Sequence, residues 1–170
     1  MIKKYGILPF LFLAYIIGCV IGYFSGVSEI HTTNYNVELK NLQLYDLPKE
    51  KRFFFIFQNN MMVAFKNMFL GMFSFGIFSV IYIFYNGFIH GNIFGKSTMF
   101  FPMHIIAKAT LPHSYEFIGV VLFGYVGYVL SVGLLVKRLL IPPKQLSALL
   151  IIATLIILLA AFSESYVSMS

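Results

Sequence analysis

His113 and Glu116 are the residues of this chain best suited to chemistry. Set three positions apart, they share one face of any helix that carries them. A histidine nitrogen beside a carboxylate can ligate zinc, and a desolvated glutamate can act as a general base. Of the six acidic residues, Glu116 is the only one between Arg52 and Ser163. His104 is the nearest candidate for a third zinc ligand. No His-Glu-x-x-His stretch accompanies the pair. The one cysteine, Cys19, excludes an internal disulfide and a Cys-based zinc site, and inside an apolar run it reads as a small packing residue. Asn59, Asn60, Asn86 and His90 add polar side chains in otherwise apolar surroundings. Within hydrocarbon such groups cost free energy unless they are paired, so they should face inward and meet one another. A buried hydrogen-bonded network that fixes helix register would use this set. So would a metal or acid–base site, and the residues leave both open.

The elements that hold these residues belong in a membrane. The 170-residue chain is 59% hydrophobic and only 11% charged; a soluble domain is about 25% charged. That is too little charge to cover a water-facing surface, and a mean hydropathy of +0.86 agrees. A soluble enzyme and a disordered chain are both excluded. The net charge of +6 sits at the ends of apolar segments, so it reads as a topology signal and not as a nucleic-acid patch.

The pattern predicts an all-α integral membrane protein, one polytopic domain with about five transmembrane helices. The first covers about 5–25, too long for the core of a signal peptide, and Lys3 and Lys4 set its start in the cytoplasm. The polar stretch 26–52 follows as an extracytoplasmic loop. From Asn59 to Asn86 is 27 steps, about 40 Å as one helix at 1.5 Å per residue, against a hydrocarbon core of about 30 Å. Either these asparagines lie near opposite faces or the helix breaks; the second crossing is placed at about 67–88. Segment 91–111 carries Lys96, Pro102, His104 and Lys108 and reads as a crossing or a re-entrant stretch. Pro112 opens a helix over about 113–136, and the last covers about 146–163.

Parity sets the count. Lys137, Arg138 and Lys144 form the clearest basic loop, which belongs in the cytoplasm. Returning there from a cytoplasmic N-terminus takes an even number of crossings, so 91–111 must cross and the C-terminus is extracytoplasmic. This topology gathers Asn59, Asn60, His113 and Glu116 toward the outside, with His104 nearby, and sets Asn86 and His90 on the cytoplasmic side.

Gly18, Gly22 and Gly26 end the first helix, and Gly87, Gly91 and Gly95 open the third segment, each at four-residue spacing. Small residues at this spacing let helix backbones approach closely in lipid. Packing within the chain is the first expectation, and self-association or partner contact the alternative.

Taken in order, Asn59-Asn60, Gly71, Asn86-Gly87-x-x-x-Gly91 and Leu111-Pro112-His113-x-x-Glu116 resemble the stage II sporulation protein M family, over roughly residues 5–165. Ser114 stands where that family usually carries glycine, and its His-to-Glu spacing is more often four than three. The resemblance implies a five-helix membrane protein that serves as a platform for peptidoglycan-remodelling partners, or accompanies transport ATPases or circular bacteriocin production. The expected function is a non-enzymatic membrane scaffold or membrane subunit of a multiprotein complex. The alternatives are an intramembrane metal-dependent hydrolase or peptide-maturation enzyme, with His113, Glu116 and His104 around zinc, and a proton-coupled transporter subunit using Glu116. Outside the zinc reading no cofactor is expected. Expected partners are lipids and other membrane or cell-envelope proteins, with no nucleic acid. Richness in Phe, Ile, Asn and Lys suggests the plasma membrane of a low-GC Gram-positive bacterium.

Overall fold

The computed structural model describes residues 6–32 and 47–168, apart from the side chains of 30–32, 111, 113 and 168. Every regular element among them is helical: α1 (Leu8–Thr32), α2 (Lys49–Phe73), α3 (Ile77–Ser97), α4 (Met103–Leu135) and α5 (Pro143–Ser163), closed by a π-helical turn over Glu164–Ser168.

The helices alternate in direction. Tyr15, Cys19 and Tyr23 of α1 face Gly87, Gly91 and Gly95 of α3, so these two run parallel. Asn67 meets Val120, and Gly71 meets Gly124, so α2 runs parallel to α4. Phe53 packs on Phe162, and the Lys49 ammonium lies 6.0 Å from the centre of the Tyr166 ring, which sets α5 antiparallel to α2. One end of the bundle therefore holds the turns at 74–76 and 136–142, and the other holds 98–102 and the π-helical turn.

Several expected segments fall differently. The crossing placed at 67–88 is a hairpin whose apex is Ser74-Phe75-Gly76. Phe75 and Gly76 take φ of 54° and 85°. The Gly76 N–H bonds back to Gly71 O at 2.9 Å, the six-to-one closure that ends helices on a left-handed residue. Ser74 Oγ accepts the Phe78 N–H at 2.9 Å, which satisfies one of the free donors in the first turn of α3. Segment 91–111 is accordingly no single helix: α3 ends at Ser97 and α4 starts at Met103. Pro112 is not a helix start but a buried residue inside α4, where it removes one N–H donor. The loop expected over 26–52 is helical at both ends, to Thr32 and from Lys49, and its middle, 33–46, lies outside the described residues. The last helix begins three residues early, with Pro143 in its first turn.

Four of the five helices are long and apolar enough to cross a membrane: Leu8–Glu29, Ile77–Ser97, Met103–Leu135 and Pro143–Val167. The fifth, α2, carries Lys49, Glu50, Lys51, Arg52 and Lys66. On α2 burial is inverted relative to a helix of a soluble bundle. In α2 the inner stripe is Arg52, Ile56, Asn60, Ala64, Asn67 and Gly71, whereas Phe54, Phe55, Met62, Phe65, Phe69 and Phe73 point out. The middle of α4 is the most enclosed stretch. Val121, Tyr125 and Val129 pack with Leu11, Tyr15, Ile83 and Ile141 on one side, while Val120 and Phe123 meet Ala64, Ala153 and Ile157 on the other.

The closest contact is between α1 and α3. A Cβ on Gly18, Gly22 or Gly26 would fall inside 3.0 Å of the Phe84, Phe88 or Asn92 carbonyl oxygen. A Cβ on Gly87, Gly91 or Gly95 would do the same to Tyr15, Cys19 or Tyr23. Both glycine runs are thus spent on each other within one chain. Lipid gives helices little hydrophobic drive to associate, and this backbone proximity supplies dispersion contact in its place. Gly91→Val pushes a methyl group into the Cys19 carbonyl, and overpacking of this kind costs about 1–3 kcal/mol. A melt followed by circular dichroism in detergent should show a clear drop for Gly91→Val and almost none for the outward-facing Ile16→Val. Equal melts would mean that the interface is not close-packed.

Candidate functional site

Tyr15 of α1, Asn86 and His90 of α3 and Glu116 of α4 converge on one small cavity, closed by apolar groups that include Val63 of α2 and Phe117. Its volume is about 10 Å³ measured as the space open to a water's centre, roughly one molecule's worth. Tyr15 Oη lies 2.8 Å from His90 Nδ1, so the phenol donates when that nitrogen carries no proton. The Tyr15 ring lies flat on Phe117, with centroids 3.9 Å apart and planes 4° from parallel. This stacking fixes where the hydroxyl points. Asn86 Nδ2 donates to Tyr82 O, one turn earlier, at 2.8 Å. Glu116 is buried. A carboxylate, an imidazole and a phenol around a space for one water can hold or relay a proton, but the space does not admit a peptide.

A second polar tie lies toward the 74–76 end. Asn67, fully buried, donates from Nδ2 to Val120 O at 2.8 Å. Its Oδ1 accepts the hydroxyl of Ser79 at 2.6 Å. One side chain thereby joins α2, α3 and α4. Gly124 makes the room, because a Cβ there would meet both Asn67 Nδ2 and Ser79 Oγ. A third tie closes the other end of the α1–α3 pair. Glu29 forms an ion pair with Lys96 and accepts from Asn92 Nδ2 at 3.2 Å and Ser25 Oγ at 3.3 Å.

The predicted residues do not all meet. Asn60 is buried, and its Nδ2 lacks a hydrogen-bond partner among the described residues, while Asn59 points outward. His104 is exposed in the first turn of α4, twelve residues and about 18 Å along the helix from Glu116. It therefore does not join a zinc set with Glu116. The backbone of α4 carries His113 three positions before Glu116, and its side chain lies outside the described residues. Among the described residues no three of His, Cys, Asp and Glu come together as metal ligands. Asn86 and His90, expected apart from Glu116 on the cytoplasmic side, line the cavity with it. The reason is the early turn: α3 starts at Ile77, so residues 86 and 90 are mid-helix and not at a helix end.

Sequence reasoning passed over Tyr15, Asn67 and Ser79. The signal for Asn67 was its spacing, since Asn60, Ala64, Asn67 and Gly71 follow steps of four, three and four along one face.

The chain matches the family description "Stage II sporulation protein M" over residues 9–169. It belongs to that family. Comparison with curated proteins and with solved structures returned no match. With its long apolar helices, it is a multi-pass membrane protein of the stage II sporulation protein M family. In this member Asn60, Gly71, Gly87, Gly91 and Glu116 are all buried and Asn86 is half-buried; of the motif residues with described side chains, only Asn59 turns outward.

Hydrogen bonds between membrane helices average about 0.6 kcal/mol and reach about 1.7. Ser79→Ala removes one such bond and should cost about 0.6 kcal/mol. Asn67→Ala removes two and leaves a void, so it should cost on the order of 2 kcal/mol. Reversible unfolding in mixed micelles measures both, and the double variant should fall short of their sum. Strict additivity would show that the Asn67–Ser79 bond carries no energy.

Proposed function

We propose that this chain is a non-enzymatic membrane frame, a scaffold or the membrane subunit of a multiprotein complex in the plasma membrane. What supports this reading above all is that three sets of its polar side chains are engaged between helices. Asn67 ties three of them, Tyr15 ties α1 to α3, and Glu29 does the same at their far end. The remaining space beside Glu116 has the size of one water. Such an interior suits a rigid platform better than a site that must admit and release a peptide.

All five helices cross in this reading, α2 included. The exposed basic residues Lys137, Arg138 and Lys144 lie at the end that holds the 74–76 turn, and that end is cytoplasmic by the positive-inside tendency. The π-helical turn is then extracytoplasmic. In a Cys19→Ser background, a membrane-impermeant maleimide added to intact cells should label Phe100→Cys and leave Phe75→Cys untouched until the membrane is opened. The reverse pattern would invert the orientation, and labelling of both would remove a crossing.

The frame reading also sets an expectation for Glu116→Gln. The amide is nearly isosteric, so the variant should fold and should recover the same membrane partners by crosslinking in native membranes as the unaltered chain. Loss of biological activity with melting and partner recovery unchanged would favour a chemical role for Glu116. Recovery of no specific partner by the unaltered chain would remove the scaffold reading.

A further inference from the structure

We propose that the outward face of α2 is a docking surface for a transmembrane helix of another protein, one that carries a carboxylate at the depth of Lys66. This rests on the membrane-frame reading above. Most outward faces in the bundle suit lipid without help. Through their middles, α1 shows Leu13, Ile16, Ile17 and Val20, and α5 shows Ile151, Ile152, Leu155 and Leu159. The face of α2 is different. Phe54, Gln58, Met62, Phe65, Lys66 and Phe69 line a shallow groove of about 700 Å³ along it, and Asn59 is exposed beside Gln58.

Depth makes these polar residues costly. Gln58 and Asn59 stand six and seven residues beyond Arg52, about 9–10 Å of helix. Lys66 stands seven residues before Phe73, about 10 Å from the other end. Among the described residues no carboxylate reaches Lys66, and no hydrogen bond satisfies the amides of Gln58 or Asn59. The lysine stem can carry its ammonium toward the interface. The short amide side chains have no such reach, and an amide left in hydrocarbon without a partner costs several kcal/mol. A neighbouring helix meets all three needs at once: hydrogen-bond groups opposite Gln58 and Asn59, a carboxylate opposite Lys66, and an apolar surface for the flexible methionines and the phenylalanines.

Charge decides against a second copy of this chain. Among the described residues Glu29 and Glu50 lie toward the opposite end, and Glu116 and Glu164 are buried. Two copies joined through α2 side by side would instead bring Lys66 against Lys66 in a low dielectric.

The test uses the full chain, reconstituted in phosphatidylcholine vesicles with a fluorescent acceptor. The probe is a donor-labelled single-span leucine–alanine helix with one aspartate seven residues from its cytoplasmic end. Energy transfer should report binding about tenfold tighter than for the same helix with leucine or lysine there. Lys66→Arg should keep that preference and Lys66→Leu should erase it; the position is exposed, and matched melting curves confirm that both variants fold. Equal binding of the aspartate and leucine helices overturns the proposal, as does a preference that survives Lys66→Leu. Erasure of the preference by added phosphatidylglycerol also overturns it, by assigning Lys66 to anionic headgroups. If native membranes still yield a specific partner with the Lys66→Leu chain, the frame reading stands and only this face is wrong.

Discussion

The structure depends on how closely α1 and α3 can approach. Lipid tails are as apolar as leucine, so burying leucine between two membrane helices gains little. What remains is dispersion, which falls off steeply with distance, and six glycines bring the two backbones together where any side chain would hold them apart. The same device recurs with less symmetry elsewhere. Gly71 lies against Gly124, Gly127 against the Met68 carbonyl, and Gly119 against Ile157 and Ala153. The glycines thus mark helix contacts, and only Gly76 serves a turn through its positive φ.

Close approach sets distances but leaves rotation and register open, and the buried polar groups fix those. Asn67 can satisfy Val120 O and the Ser79 hydroxyl together only at one relative height of α2, α3 and α4. Tyr15 is held between Phe117 and His90, so α1 is set against α3 and α4 by a single ring. The bundle reads as two groups, α1 with α3 and α2 with α4 and α5, and the cavity at Glu116 lies between them. A polar pocket at such a boundary is where a small relative shift of helices would be felt first.

Much of this was legible in the sequence, and the parts that were not have physical reasons. Composition gave the membrane class, and the four-residue glycine spacing marked the faces that meet. The hairpin at 74–76 was hidden because Met61–Phe88 reads as an almost unbroken apolar run, and an apex of Ser-Phe-Gly has only one polar side chain. Its trace was length, since 40 Å of helix does not fit 30 Å of hydrocarbon. Missing the hairpin displaced Asn86 and His90 to the wrong end and separated them from Glu116. Pro112 misled for the opposite reason: proline favours a first helical turn, yet membrane helices tolerate it in their interior because neighbours resatisfy the backbone. Tyr15 carried no signal, being one tyrosine among eleven in a chain with twenty phenylalanines.

The parallel pairing of α1 with α3 bears on how the protein is made. Gly26, the last glycine of the α1 face, precedes Gly95, the last of the α3 face, by 69 residues, and α2 is synthesised between them. At about 5–20 residues per second, a ribosome takes roughly 3–14 s to cover that distance. Throughout that interval the glycine stripe of α1 has no α3 to cover it. Insertion of α3 parallel to α1 ends the wait, so the order of assembly is set by geometry: the first helix to be synthesised must keep its best face unused until the third arrives.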